Sequence, residues 1–189
     1  MREGVALSMT YHSFHREEPS TSEVEPYCVK LFEQRWYMLG KSEGYDELRL
    51  YALDRIKALE PTECKFKLPN KFDAAKFFED YYGIIISDED FDVEPVALKV
   101  DSWQSKYLRT LPLHHTQVEV ERTDEYSIFE YRLCPSFDFQ QKLLSMGDSA
   151  GVLAPVALKD ILRKKAETTA NNNASAGMGS GYHFKVYKK

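Results

Sequence analysis

The sequence predicts an α+β protein in which a small, strongly bent β-sheet is followed by a ferredoxin-like unit. Residues 25–62 hold aromatic and β-forming runs separated by a polar turn, which is typical of strands. From Pro95 onward, strand and helix patterns follow the order βαββαβ with one further helix, the order of a split βαβ unit. The 189 residues are enough for two such small domains.

The first part of the chain reads as strands joined by polar loops. The strand-like segments are Val5 to Phe14, Tyr27 to Leu39, Leu48 to Ile56 and 57–62. A polar loop with Pro19 follows the first segment, and residues 41–47, with Gly44, suit the turn of a hairpin between the second and third. A bent sheet of about five strands often closes into a barrel.

Alternation within the run from Leu48 to Ile56 assigns its side chains to two faces. One face carries Arg49, Tyr51, Leu53 and Arg55, and the other carries Leu48, Leu50, Ala52 and Ile56. The first set is basic and aromatic and the second is mostly apolar. We therefore expect the first face to be functional and the second to be core.

Residues 65–83 have a helical texture and link the two parts. Asp73 can cap a helix from Ala74 to Tyr82, and Gly83 is a natural end. The aromatic residues of this helix recur at helical spacing. Packing between domains is the favoured interpretation, and a ligand cage is the alternative.

The second part gives the elements of the ferredoxin-like unit. The predicted elements are strand Val96 to Val100, helix Ser102 to Thr110, strand Thr116 to Arg122, strand Tyr126 to Cys134, helix Ser136 to Met146, strand Gly151 to Leu153 and helix Pro155 to Lys165. Residues 123–125 supply a turn, Gly147 ends a helix and Pro155 suits a first helical turn. The low-complexity segment that follows predicts a flexible tail over 169–189.

Composition narrows the classes of function. The formal net charge is −5, which argues against a surface that binds duplex DNA as a whole, although a local basic pocket remains compatible with it. No apolar run is long enough to span a membrane and no signal peptide is evident, so a cytoplasmic protein is expected.

The sequence offers no recognisable catalytic or metal-binding motif. Cys28, Cys64 and Cys134 are odd in number and widely spaced, so we interpret them as reduced thiols. No nucleophile with a base, phosphate-binding glycine loop or carboxylate cluster has diagnostic spacing. We expect a protein that is not an enzyme and has neither a cofactor nor a metal.

Three motifs in order resemble the WYL domain of bacterial transcriptional regulators. They are PY before an apolar strand, then RWYMLG, then R-x-Y-x-L-D-R-I from Arg49 to Ile56. The name-giving triplet falls on Trp36, Tyr37 and Met38, where Met replaces Leu at similar volume. The resemblance implies an Sm-like, SH3-type barrel. Because alternation sends Trp36 and Tyr37 to opposite faces, we expect them to stabilise the barrel, with Trp36 in the core.

The string LHHTQVEVERTDEYSIFEYRL, followed by a helix, Gly147 and VLAP, resembles the carboxy-terminal extension of the same family. The predicted domains are thus a WYL domain at 1–63, a linker with a helix at 64–93 and the extension at 94–168. Regulators of this family usually carry a helix-turn-helix before the WYL domain, and the sequence begins close to the first strand. It is therefore interpreted as a truncated regulator or as a stand-alone sensor.

The family resemblance implies a basic, partly aromatic pocket that senses nucleotides or single-stranded nucleic acid. The candidate ligand-binding residues are Arg49, Arg55, Tyr51, Tyr11 and Lys30. Arg49 and Arg55 are roughly 20 Å apart in an extended strand, which favours a ligand longer than one small phosphate. Surface ion pairing for the arginines, and a half-buried barrel position for Tyr11, are the structural alternatives.

The sequence therefore predicts a ligand-sensing module of a WYL-type regulator. Its expected partners are a nucleotide or single-stranded nucleic-acid effector and a second copy of the chain. DNA would be bound only through a helix-turn-helix domain outside this sequence. The alternative function is a dimerisation or protein-interaction scaffold without catalysis.

Overall fold

The computed structural model describes residues 4–86 and 92–175, and the chain divides into two compact units, 1–79 and 80–189. Unit 1 contains strands β1 (Val5–Tyr11), β2 (Ser20–Phe32), β3 (Arg35–Ser42), β4 (Leu48–Ala52) and β5 (Ile56–Lys65), and helix α1 (Ala74–Phe77). Unit 2 contains β6 (Glu94–Asp101), α2 (Gln104–Thr110), β7 (Val118–Arg122), β8 (Tyr126–Leu133), α3 (Phe137–Leu144), β9 (Ala150–Ala154) and α4 (Val156–Ser175). Two short 3-10 turns, Leu53–Arg55 and Gly147–Ser149, precede β5 and β9. The predicted α+β class is confirmed.

Unit 1 is a curled, five-stranded antiparallel sheet with the order β4-β3-β2-β1-β5. Its two edge strands, β4 and β5, are consecutive in the chain and joined only by the 3-10 turn Leu53–Arg55. Since three residues connect the two edges, the sheet must curl until they approach each other, which gives a barrel-like shape. Met9, Val24, Met38 and Tyr51 form the core inside this curl.

The segment from Tyr27 to Leu39 is two strands, whereas the sequence predicts one. A hairpin turn at Glu33 and Gln34 separates β2 from β3, and both residues have positive φ, 45° and 66°. Positive φ at both central residues is the geometry of a type I′ turn, which matches the twist of the flanking strands. Neither glycine nor asparagine is present there to signal the turn, so the hairpin escaped prediction.

The linking helix is shorter than predicted, because α1 ends at Phe77 rather than at Tyr82. The cap is confirmed: the Asp73 carboxylate accepts hydrogen bonds from the amides of Ala75 and Lys76. The aromatic residues of this stretch belong to different units. Phe77 packs near Phe72 and Phe78 in unit 1, and the Tyr82 ring packs 5.8 Å from that of Phe139 in unit 2.

Unit 2 confirms the predicted ferredoxin-like order. Its antiparallel sheet has the strand order β7-β8-β6-β9, the arrangement of a split βαβ unit. The helices cover one face, and the core beneath them includes Leu98, Phe129, Phe139 and Leu158. Helix α4 continues to Ser175, ten residues past its predicted end. The first residues of the predicted flexible tail are therefore helical, and 176–189 lie outside the described residues.

Candidate ligand-binding site

The two candidate tyrosines pack inside the curled sheet of unit 1. Tyr51 is only 8% exposed, among Met9, Val24 and Met38, and its ring meets that of Tyr11 edge-to-face at 5.2 Å. The Tyr11 hydroxyl accepts a hydrogen bond from the Ala52 amide at 3.3 Å. Both side chains thus contribute to the core, and Tyr51 is buried although alternation placed it on the face expected to be functional.

Alternation holds for Arg49 and Tyr51, which lie two residues apart in β4, but it fails for Arg55 because the strand ends at Ala52. The 3-10 turn Leu53–Arg55 follows, so Arg55 does not continue the strand face of Arg49 and Tyr51. A 3-10 turn advances about 2 Å per residue, against about 3.3 Å in a strand, and it changes the direction of the chain. Arg49 and Arg55 are therefore closer than the extended-strand distance and do not share one strand face.

Arg55 lies at the rim of the curled sheet, where its guanidinium stacks on an exposed aromatic ring. Its central carbon is 3.6 Å from the centre of the Phe14 ring, and Phe14 is 76% exposed. The Arg55 carbonyl accepts a hydrogen bond from the His12 amide, which anchors the turn against the end of β1. The Arg55 Nε is buried and has no hydrogen-bond partner within the part of the chain that the structure describes.

Arg49 occupies a different environment at the hairpin between β3 and β4. Its guanidinium carbon lies 4.0 Å from the centre of the Tyr45 ring. Tyr45 also lines a depression of about 660 Å³, whose charged lining residues are Glu23, Glu25, Lys41, Glu43 and Asp46. Four carboxylates against one lysine make this surface unfavourable for a phosphate.

Lys30 does not join the tyrosines. It pairs with Tyr37 across β2 and β3, whereas the neighbouring pair of Val29 and Met38 lies on the face that carries the core residue Met38. Because successive side chains alternate, Lys30 points to the opposite face of the sheet. Its ammonium lies 4.0 Å from the centre of the Phe78 ring.

Trp36 is not a core residue, contrary to the expectation from its strand position. It is 51% exposed, near the tip of the β2–β3 hairpin opposite Leu31. Its side chain is on the same face as Met38, which pairs with Tyr51, but it lies beyond the end of the core. Leu31 and Val29, on the same face, are also exposed, so the hairpin presents an apolar surface.

Phe14 and the exposed position of Trp36 are the features that the sequence did not reveal. The only signal for Phe14 is an aromatic residue in a polar run, SFHREEP, where a core role is unavailable. Nothing in the sequence pairs Phe14 with Arg55, since 41 positions separate them and the 3-10 turn brings them together.

The three cysteines and the possible metal ligands were the remaining candidates for a reactive or metal-binding centre. None of the three cysteines, all within the described residues, forms a disulfide bond, and burial raises the pKa of Cys28, which keeps this thiol protonated at neutral pH. Among residues 4–86 and 92–175, no three His, Cys, Asp or Glu side chains are placed to hold a metal ion. No helix in the same ranges is long and apolar enough to cross a membrane.

Comparisons with protein-family models agree with the division of the chain into unit 1 and unit 2. Residues 1–61 match the family model of the WYL domain, and residues 92–170 match that of the WCX domain. A search of curated proteins found no match.

Two solved structures are similar to this chain. One is proteasome accessory factor B/C (PafBC) of Arthrobacter aurescens, with 21% identity over 86% of this chain and 24% of that chain, and a TM-score of 0.35. The other is described as a CRISPR Cas-related protein, with 14% identity over 93% of this chain and 49% of that chain, and a TM-score of 0.51. The chain thus spans a quarter to a half of the length of these proteins, and the second likeness concerns the fold alone.

Proposed function

We propose, from the premise that this chain is a WYL-domain protein with a WCX domain behind its WYL domain, that it senses a nucleotide or single-stranded nucleic-acid effector. The proposed contact site is the pair of Arg55 and Phe14 at the rim of unit 1. The observation that carries the proposal is the Arg55 Nε, a buried donor without a hydrogen-bond partner among the described residues, beside an exposed ring.

Burying a charged donor without an acceptor is costly unless a ligand supplies one. Because the Arg55 Nε is covered in the structure, a phosphate oxygen would accept this hydrogen bond after a shift of the Arg55 side chain, and the planar guanidinium can bind phosphate through two parallel bonds. The exposed Phe14 ring offers a surface on which a base can stack, a contact worth about 1–3 kcal/mol per base. The rim therefore combines the two contacts that a nucleotide needs.

The other candidate residues receive different roles under this proposal. Tyr11 and Tyr51 would hold the sheet in shape beneath the rim, because their rings pack on each other inside the core. Arg49 would contribute little, since its guanidinium stacks on Tyr45, which lines a depression with four carboxylates and one lysine. Lys30 would stabilise unit 1 through the Phe78 ring.

As a regulatory module, the protein would act on DNA only indirectly. Effector binding at unit 1 would alter how a helix-turn-helix domain, attached or on a partner, engages DNA. A homodimer is the expected assembly. Neither step requires catalysis, and no cofactor is proposed.

The test compares two arginine variants that remove the same charge. Binding of fluorescently labelled single-stranded oligonucleotides and of mononucleotides would be measured by anisotropy and competition, at several salt concentrations. Arg55→Ala should weaken binding about tenfold to a hundredfold, the range for one lost charge-assisted contact. Arg49→Ala, the matched control, should change affinity less than about threefold. Equal losses in both variants, or no binding at any salt concentration, would reject the site.

The second candidate function is a protein-interaction scaffold, and the apolar surface of Val29, Leu31 and Trp36 favours it. A scaffold would associate through apolar contacts with little salt dependence, whereas nucleic-acid binding weakens steeply as salt is added. Trp36→Ala should then change the oligomeric state or partner binding, and Arg55→Ala should leave both unchanged.

A further inference from the structure

Unit 2 contains a groove of about 1190 Å³ that the effector site does not use. Its walls are α3 and α4, and residues of β6 and β9 lie at its base. The apolar lining side chains include Leu98, Leu143, Leu144, Val152 and Leu162. A groove of this size between helices can receive the apolar face of a partner helix, a recurrent mode of peptide recognition.

The charged side chains that line this groove are all basic. They are Lys159, Arg163, Lys164 and Lys165, and none of the described lining residues is an aspartate or a glutamate. Arg163 is balanced by Asp160 and Glu167, and the Lys165 ammonium donates to the Gln140 side chain at 2.7 Å.

Lys159 and Lys164 differ from these two basic residues. Within the described ranges, neither has an ion pair. The rim of the groove thus has uncompensated positive charge, in a chain whose net charge is negative.

Helix α4 also extends beyond the part that packs on unit 2. Leu158 is fully buried and Lys165 half-buried, but every residue from Ala166 to Ala174 is exposed. This extension of nine residues is about 14 Å long, and its Ala166, Thr169 and Ala170 line the groove.

The extension is rich in threonine and asparagine, which are weak helix formers. Three of its side chains, Thr168, Thr169 and Asn173, bond to carbonyls one turn earlier. Such back-bonding does not add core packing. An exposed helix of this length and composition has little stability of its own, so a covering partner would stabilise it.

From the groove, its charge and the exposed helix, we propose that unit 2 is a docking site for an acidic amphipathic helix of a partner protein. The apolar stripe of that helix would pack on the leucines of the groove. Its flanking carboxylates would pair with Lys159 and Lys164. The partner would extend along α4 and cover residues 166–174.

The charge of the groove favours an acidic partner helix over two other possible occupants, the tail of the same chain and a second copy of the chain. The residues after Ser175 include Lys185, Lys188 and Lys189 and no acidic residue, so the tail of the chain would be repelled. A second copy of α4 would bring four basic residues, Lys159, Arg163, Lys164 and Lys165, and only two acidic ones, Asp160 and Glu167, against the same basic rim. Only an acidic segment complements it.

The probe is a synthetic peptide of 18 residues with leucine at each third or fourth position and glutamate elsewhere. A matched peptide carries lysine in place of glutamate. Binding to the full chain would be measured by calorimetry, and hydrogen exchange would be followed over residues 166–174. The acidic peptide should bind with a dissociation constant below about 1 mM and slow exchange in this extension. The lysine peptide should bind at least about tenfold more weakly.

Three variants of the chain locate the contact. The double substitution Lys159→Glu with Lys164→Glu should weaken binding about tenfold or more. Ala170→Glu, which adds bulk and negative charge on the exposed extension, should also weaken it. Lys142→Glu makes the same charge change on α3 outside the groove lining, and should alter affinity less than about twofold.

Several results would overturn the proposal. They are the absence of saturable binding of the acidic peptide at about 1 mM, equal binding of the lysine peptide, and an equal loss in the Lys142→Glu control. Slow exchange over residues 166–174 in the chain alone would mean that the tail or a second copy already covers the extension, and it would reject a partner helix. The outcome does not depend on nucleotide binding at Arg55, which is measured separately.

Discussion

Substitutions at Tyr51 distinguish a structural role from a ligand-binding role. The sequence places this residue on the face that we expected to be functional, whereas the structure buries it. The side chain is 8% exposed and forms part of the core of unit 1. Aromatic residues of this kind bury about 150–250 Å², worth roughly 4–6 kcal/mol at about 25 cal/mol per Å². Truncations of large aromatic side chains in cores cost about 3–5 kcal/mol, so we expect Tyr51→Ala to lower the free energy of unfolding by this amount.

A graded series separates packing from the hydroxyl group. Tyr51→Phe keeps the ring and its edge-to-face contact with Tyr11, so stability should change by less than about 1 kcal/mol. Tyr51→Leu keeps much of the burial but loses the aromatic pair, which is worth about 0.5–1.5 kcal/mol in addition to the altered packing. The order of stability should therefore be wild type, Phe, Leu and Ala.

The assay is urea unfolding of the full chain, monitored by circular dichroism, with effector binding measured on each folded variant. Effector affinity should follow the wild type in Tyr51→Phe. A loss of affinity above about threefold in this variant, at unchanged stability, would show that the hydroxyl contacts the ligand. A cost below about 1 kcal/mol for Tyr51→Ala would mean that the ring is not buried as described.

Three further predictions concern other parts of the chain. The Arg109 side chain hydrogen-bonds the Glu119 carboxylate and lowers its pKa to about 2, so this stabilisation is complete above about pH 4.5 and is lost as the pH falls toward 2. In urea unfolding, the stability difference between wild type and Glu119→Gln should therefore shrink from pH 6 to pH 3, and a constant difference would refute the pairing. Gln34→Gly should raise the stability of unit 1 by about 1 kcal/mol, because it relieves positive φ in the hairpin turn; a lower midpoint of unfolding would contradict that geometry. Gly40→Ala should destabilise by about 1–3 kcal/mol, because the added carbon would lie 2.9 Å from the Glu25 carbonyl oxygen; Gly44→Ala, where space is open but φ is positive, is the control for backbone strain without a clash.

The sequence predicted unit 2 better than unit 1 for a physical reason. In unit 2 turn-forming residues mark the ends of several elements: residues 123–125 join β7 to β8, Gly147 follows α3 and Pro155 precedes α4. In unit 1 the turn at Glu33 and Gln34 contains no glycine or asparagine. The paired strands on both sides hold these two residues at positive φ, a conformation that they rarely adopt alone. The 3-10 turn after Ala52 also interrupts a run that continues to look like a strand.

The structure places the predicted candidate residues in different environments. Arg55 remains the residue proposed to bind the effector, while Arg49 stacks on Tyr45, which lines a carboxylate-rich depression, and Tyr51 lies in the core. Alternation within one strand assigns faces only while the strand continues, and it says nothing about which charges other strands bring alongside. The Phe14 partner of Arg55 could be found only in three dimensions.

By itself, the sequence determined the α+β class, the order of elements in unit 2 and the resemblance to WYL domains, because these depend on local patterns and on motifs in order. The tertiary structure decided which aromatic residues are core and which are surface. Burial depends on where the curled sheet ends. Tyr51 lies within the curl, whereas Trp36, two residues before Met38 in β3 and on the same face, lies past the end of the core. The structure also showed that α4 continues as an exposed helix beside a basic groove, since only packed neighbours reveal which part of a helix has no cover.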